Sequence, residues 1–131
     1  MEPPTNAAPP APAAAAIPVG PCRGSRFVDA RLMFGTAGAD RLGGGSRAEV
    51  LVGLAGTDRL SGGAGADCLD GGAGADTLNG DNGADTLRGG AGNDRLVGGP
   101  GRDILDCGPG SDVARAARSD RVRNCERILR P

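Results

Sequence analysis

The 131-residue chain contains no histidine, tryptophan, tyrosine or lysine, so all 15 of its basic residues are arginine. Without histidine there is no Ser-His or Cys-His pair for nucleophilic catalysis, no H-E-x-x-H helix, and no imidazole ligand for zinc. Two phenylalanines, Phe27 and Phe34, are the whole aromatic content. Thick packing around large side chains is therefore excluded, and a thin core of small repeated contacts is expected. No apolar run approaches the length of a membrane span. The start also lacks the marks of a secretory leader. No basic residue precedes Arg23, and residues 13–17 are too short and too weakly apolar for a leader core. An export signal would lie upstream, or export would use another route.

What the chain has is glycine, 25 residues of it, together with 10 prolines and 4 cysteines. Most of the glycine falls in residues 35–115, which divide into nine consecutive nonapeptides without insertion or deletion. They read GTAGADRLG, GGSRAEVLV, GLAGTDRLS, GGAGADCLD, GGAGADTLN, GDNGADTLR, GGAGNDRLV, GGPGRDILD and CGPGSDVAR. The sixth position is Asp40, Glu49, Asp58, Asp67, Asp76, Asp85, Asp94, Asp103 and Asp112. The eighth is leucine from Leu42 to Leu105, then Ala114. A glycine-rich hexapeptide is a sharp turn, because glycine reaches positive φ without a Cβ penalty. The following x-Leu-x alternates like a short strand with one buried face. Turn and strand repeated in this way make a solenoid in which each leucine is buried against its neighbours.

The repeat matches the G-G-x-G-x-D-x-U-x pattern of calcium-binding parallel β-rolls and resembles the repeat-in-toxin (RTX) family over 81 of the 131 residues. The resemblance implies an all-β, right-handed parallel β-roll in which two nonapeptides make one coil. Repeat n then lies beside repeat n+2. The acidic positions form two columns: Asp40, Asp58, Asp76, Asp94 and Asp112 on one edge, and Glu49, Asp67, Asp85 and Asp103 on the other. Neighbouring carboxylates about 5 Å apart repel by roughly 3 kcal/mol at an effective dielectric of 20, so such columns need a cation. Calcium is the expected cofactor, since it takes six to eight oxygen ligands from carboxylates and backbone carbonyls alike. The expected metal residues are Asp40, Asp58, Asp67, Asp76, Asp85, Asp94, Asp103 and Asp112. The second loop departs from the pattern. Arg47 replaces the glycine of position 4, where positive φ would strain it, and Glu49 is a methylene too long. The Arg47 guanidinium is expected to neutralise Glu49 and Asp67, leaving about six calcium ions, each with six to eight oxygen ligands.

The flanks differ in character. Residues 1–21 are rich in proline and alanine and read as a disordered or polyproline-type spacer. Residues 22–34 hold Phe27, Val28, Leu32, Met33 and Phe34 and are expected to be an N-terminal cap. Residues 116–131 are expected to be a C-terminal cap. From residue 114 to the end, six arginines face two acids, whereas residues 35–112 carry twelve acids against six arginines. No aromatic residue interleaves the basic tail, so nucleic acid is not expected as a partner. Four cysteines in a small, loop-rich chain suggest disulfides and an oxidising compartment. Cys125 lies one full coil after Cys107 if the register persists, with Cα atoms about 5 Å apart, close enough for a disulfide. Cys22 and Cys68 would pair by elimination. The segment around Cys107, Asp112, Asp120, Cys125 and Glu126 also resembles the closing segment of secreted actinobacterial calcium-binding repeat proteins. Asp70 and Asp106, at position 9, are expected to face solvent.

The functional expectation is an extracellular, monomeric, non-enzymatic calcium-binding module that folds on calcium binding and has a structural or stabilising role. The alternatives are an adhesin-like surface-recognition fragment or the accessory domain of an exported hydrolase. An ice-binding face is disfavoured, because the outward turn positions are alanine and proline rather than a regular threonine array.

Overall fold

The computed structural model describes residues 31–130. Every regular element within them is a strand. In order these are β1 (Arg31–Phe34), β2 (Arg41–Gly43), β3 (Glu49–Val52), β4 (Arg59–Ser61), β5 (Cys68–Asp70) and β6 (Thr77–Asn79), followed by β7 (Thr86–Arg88), β8 (Arg95–Val97), β9 (Ile104–Asp106), β10 (Val113–Arg115), β11 (Arg121–Arg123) and β12 (Arg127–Leu129). The odd strands form one six-stranded sheet and the even strands another, each in chain order. All pairings are parallel. The chain therefore crosses from one sheet to the other at every glycine-rich turn, which makes a β-solenoid of the expected class.

The register explains why so thin a molecule holds together. Leu51, Leu69, Leu87 and Leu105 stand opposite one another across the first sheet. Leu42, Leu60, Leu78, Leu96 and Ala114 do so across the second. The seven leucines from Leu51 to Leu105 are buried and form one continuous core with Cys107, Ala114 and Ala116. Each buried leucine contributes about 1.5–3 kcal/mol relative to its exposed state. Slipping one strand by one residue would turn its leucine outward, so the register is strongly specified.

The solenoid outgrows the nine nonapeptides at both ends. Before them, Met33 of β1 pairs with Leu51 and packs against the core, while Leu32 and Phe34 stay exposed. After them, β11 and β12 continue the two sheets, with Val122 opposite Leu105 and Ile128 opposite Ala114. The last coils are shorter than those before. The coil separation is 18 residues through most of the roll, but 17 between Asp103 and Asp120 and 14 between Asp112 and Glu126. The expected spacer of residues 1–21, and residues 22–30 of the expected N-terminal cap, lie outside the described residues.

Cys107 and Cys125 are joined as expected, with Cα atoms 5.0 Å apart. The bond clips the closing coil to the last repeat. Cross-linking a loop of this size stabilises by roughly 3 kcal/mol in the chain-entropy model. Cys68 is also disulfide-bonded; its expected partner, Cys22, lies outside the described residues.

The turns come in two kinds. From the third repeat onward, positions 2 and 4 both have positive φ, as at Gly72 (86°) and Gly74 (108°). Two residues other than glycine hold position 2 in this conformation, Leu54 (74°) and Asp81 (64°). In the first two repeats neither position has positive φ. Arg47 consequently escapes the strain expected of it. Its loop takes another path, and Arg47 forms no ion pair with Glu49 or Asp67 among the described residues. Glu49 Oε1 instead accepts a hydrogen bond from the Gly45 N–H at 2.9 Å.

Candidate metal centre

The site is built by repetition. Each glycine turn delivers its acidic residue to the base of the following strand, and stacking aligns these residues along the two edges. One carboxylate oxygen has the same task in every repeat: it accepts the backbone N–H of the acidic residue one coil earlier. Asp58 Oδ1 takes the Asp40 N–H at 2.8 Å, and Asp76 takes that of Asp58 at 2.8 Å. Asp94 and Asp112 continue this edge at 2.9 and 2.7 Å. On the other edge Asp67, Asp85 and Asp103 take the N–H groups of Glu49, Asp67 and Asp85, each at 2.8 Å. All eight metal residues expected from sequence thus lie in the two columns, Asp40 at the open end of its own.

The second carboxylate oxygen separates early loops from late ones. In the first loop Asp40 Oδ2 accepts the Thr36 N–H at 2.5 Å and the Thr36 hydroxyl at 3.0 Å. In the second loop the Glu49 carboxylate accepts the Gly45 N–H. From the third loop to the ninth, the Oδ2 atoms of Asp58, Asp67, Asp76, Asp85, Asp94, Asp103 and Asp112 are buried and have no hydrogen-bond partner. An unsatisfied buried acceptor costs about 1–3 kcal/mol, and more when charged. Seven of them in one small domain mark a missing partner rather than a packing fault.

Position 1 shows what surrounds these oxygens. A Cβ atom built on Gly71 would come within 2.6 Å of Asp76 Oδ2 and 2.9 Å of the Gly89 carbonyl oxygen. Glycine is required here for close approach, since its φ is not positive. The same pair of oxygens, a carboxylate and a carbonyl from the next coil, meets Gly53, Gly62, Gly80 and Gly89. Hard oxygen donors of this kind suit calcium; they offer zinc neither imidazole nor thiolate. Among the described residues no three acidic or cysteine side chains converge on one point, so further ligands to a cation would be backbone carbonyls.

Electrostatics give the same picture. Burial raises the Asp85 and Asp94 carboxyls to about 7, and Asp67, Asp76 and Asp103 to about 6. Backbone N–H groups oppose the rise, and neighbouring carboxylates of the column add to it. Asp58 and Asp112 are raised for the same first reason. Without a cation, the middle of each column holds its charge reluctantly.

Three acidic residues outside the expected set also belong to the stack. Asp120 Oδ1 accepts the Asp103 N–H and Glu126 Oε1 the Asp112 N–H, both at 2.8 Å, so they complete the columns. Their irregular spacing hid them from a nonapeptide count. Asp81, at position 2, accepts the Gly63 N–H at 3.2 Å and the Ser61 hydroxyl, bracing a turn on the Asp67 and Asp85 edge. The expectation that Asp70 faces solvent fails. It is 2% exposed, its carboxyl is raised by burial, and it pairs with Arg88 at 3.4 Å. Position 9 does point out of the roll, but this part of the first sheet is covered. Asp106 pairs with Arg123 at 3.3 Å and accepts the Asn124 side-chain N–H at 2.8 Å.

No curated protein matches the chain. The family model for the RTX calcium-binding nonapeptide repeat, itself four copies long, matches residues 43–78 and again residues 79–114, more than half of the sequence. The two matches run without a gap through the loops whose carboxylate oxygens lack partners. Nonapeptide repeats of this kind bind calcium, and the chain, with its turns, its leucine ladder and its aspartate columns, belongs to the RTX calcium-binding nonapeptide repeat family.

Proposed function

We propose that this protein is an extracellular calcium-dependent structural module whose roll forms when calcium fills the turns. The observation that carries this reading is the set of seven buried, unpartnered Oδ2 atoms from Asp58 to Asp112. These aspartates, with carbonyls of the glycine turns, would hold the ions; Asp40 would serve at the open end of its column. Calcium supplies positive charge where like charges would otherwise be stacked. The side chains do the rest: each Oδ1 holds the preceding coil in register through a backbone N–H, which leaves Oδ2 turned toward the cation.

The interval between the loops ending in Glu49 and Asp67 stays metal-free in this proposal, because Glu49 already accepts the Gly45 N–H. About six ions then occupy the roll, each with six to eight oxygen ligands. Since ligand-free glycine turns lose much entropy on ordering, binding free energy becomes folding free energy. The Cys107–Cys125 bond supports a location outside the reducing cytosol. Extracellular calcium modules have dissociation constants of about 10⁻⁴–10⁻³ M, which a resting cytosol would not satisfy. The chain has no histidine to offer acid–base chemistry, and we assign it no catalytic role.

Circular dichroism with and without excess chelator tests the reading. The expected result is a β-rich spectrum in millimolar calcium that collapses on chelation and returns when calcium is restored. A β-rich spectrum indifferent to chelator would overturn it.

A further inference from the structure

The outer faces of the two sheets treat charge in opposite ways. On the first sheet, one row runs Asp70, Arg88, Asp106, Arg123. Its signs alternate, and Asp70–Arg88 and Asp106–Arg123 are ion pairs. On the second sheet, the register aligns Arg41, Arg59, Thr77, Arg95, Val113 and Arg127 in one row. The parallel row is Gly43, Ser61, Asn79, Val97, Arg115 and Leu129. Neither row contains an acidic residue. Arg41, Arg59, Arg95, Arg115 and Arg127 are all exposed, and among the described residues no carboxylate pairs with any of them.

Adjacent parallel strands are about 4.8 Å apart, so Arg41 and Arg59 are neighbours, and Arg95 and Arg127 follow at intervals of about 10 Å along the roll axis. Like charges at such spacings repel, and nothing in the chain relieves them. At the C-terminal half of this face lies a shallow groove of about 330 Å³, lined by Arg95, Leu96, Val97, Val113, Arg115 and Leu129. Its floor is apolar and two guanidinium groups flank it.

We propose that this face binds a linear acidic polysaccharide lying along the roll axis. The guanidinium forks suit carboxylate and sulfate groups, which they engage through two parallel hydrogen bonds. The ligand's charge must recur along a line, as the arginines do. Single-stranded nucleic acid fits less well. Non-specific recognition of it relies on aromatic platforms for the bases, and neither row of this face contains an aromatic residue. The groove floor of Val97, Val113 and Leu129 can take the apolar side of a sugar ring. The proposal rests on the calcium reading in one respect: the arginines are aligned only when the strands have formed. Neutralising the aspartate columns with calcium also leaves the arginines as the dominant charge.

The test is binding of the full-length, oxidised chain to chondroitin sulfate in millimolar calcium, with neutral dextran and oligo(dT) as comparisons and circular dichroism on the same samples. The expected result is salt-sensitive binding to chondroitin sulfate and none to dextran. The pair Arg59→Ser and Arg95→Ser should weaken it by about tenfold or more, with the spectrum and calcium count unchanged. Arg121→Ser, on the first sheet, should leave it as it was. Absence of binding by the folded chain, equal losses from Arg121→Ser, or tighter binding to oligo(dT) would each overturn the proposal. Binding that persists in chelator, with the chain still folded, would instead sink the calcium reading and leave the arginine face standing.

Discussion

The first two loops and the seven that follow are drawn from the same nonapeptide, yet they end in different chemistry. In the early loops the carboxylate is satisfied by its own turn: Thr36 serves Asp40, and Gly45 serves Glu49. In the later loops positions 2 and 4 pass into positive φ, and the second carboxylate oxygen is left buried and alone. The difference teaches that an acidic residue at position 6 does not by itself make a calcium loop. The turn must also withhold its own donors from that residue. Where a local N–H or hydroxyl reaches the carboxylate, no cation is needed.

The largest test of this contrast is a single methyl group. On Gly74 it would lie 2.2 Å from the Gly56 carbonyl oxygen, at a φ of 108°. On Gly38 the nearest atom is the Thr36 hydroxyl at 3.8 Å. Gly74→Ala should therefore destabilise the calcium-loaded roll by about 3 kcal/mol or more, combining overpacking with left-handed strain. Gly38→Ala should cost less than about 1 kcal/mol, as an uncrowded substitution does. Thermal melts in saturating calcium compare the two directly.

A smaller effect is expected from the carboxylates. Asp85→Asn keeps the Oδ1 acceptor for the Asp67 N–H but removes the charge; it should lose at least one bound calcium and lower the calcium-dependent melting temperature. Asp40→Asn, where Thr36 already fills the acceptor, should lower it less. The converse change sharpens the contrast from the other side. Arg47→Gly with Glu49→Asp gives the second loop the sequence of a late one. It should add one calcium in a titration, and an unchanged count would mean that the first coil is set apart by its position at the end of the roll.

Acidity should separate the two groups as well. The folded, metal-free columns hold protons up to about pH 6–7, whereas the unfolded carboxylates release theirs near 4. Between those limits the folded state binds more protons, so the stability of the metal-free roll falls as pH rises through this window. Calcium must displace the same protons. Its affinity should strengthen from about pH 5 to 8 and then level, as linkage requires. Chelated protein followed by circular dichroism across that range should retain more strand at the acid end.

The smallest expected effect concerns Leu54, a bulky, exposed residue at a φ of 74°. Leu54→Gly should stabilise the roll by about 1 kcal/mol, because left-handed strain is removed and little buried area is lost. In the first two loops, where position 2 is not left-handed, Thr36→Gly should bring no such gain.

Much of this was legible in the sequence because a nonapeptide repeat leaves few choices. Leucine at every eighth position settles which face is buried, and the 18-residue coil brings Cys107 to Cys125. The limits of that reading are equally physical. Asp120 and Glu126 take up the aspartate role at separations of 17 and 14 residues, and a fixed period passes over them. Asp70 occupies an outward position, but outward is not exposed when a face is covered. Arg47 was expected to be strained by a turn its own loop does not adopt. In each case the misreading came from carrying the average repeat onto a coil near an end or under a cover.

The most direct measurement is a count of bound calcium by native mass spectrometry on the oxidised chain, paired with the Arg47→Gly, Glu49→Asp variant. The account predicts about six ions in the unmodified protein, each held by oxygen ligands of the later loops, and one more in the variant. A chain that binds no calcium, or one that already binds a full set in its first two loops, would contradict it.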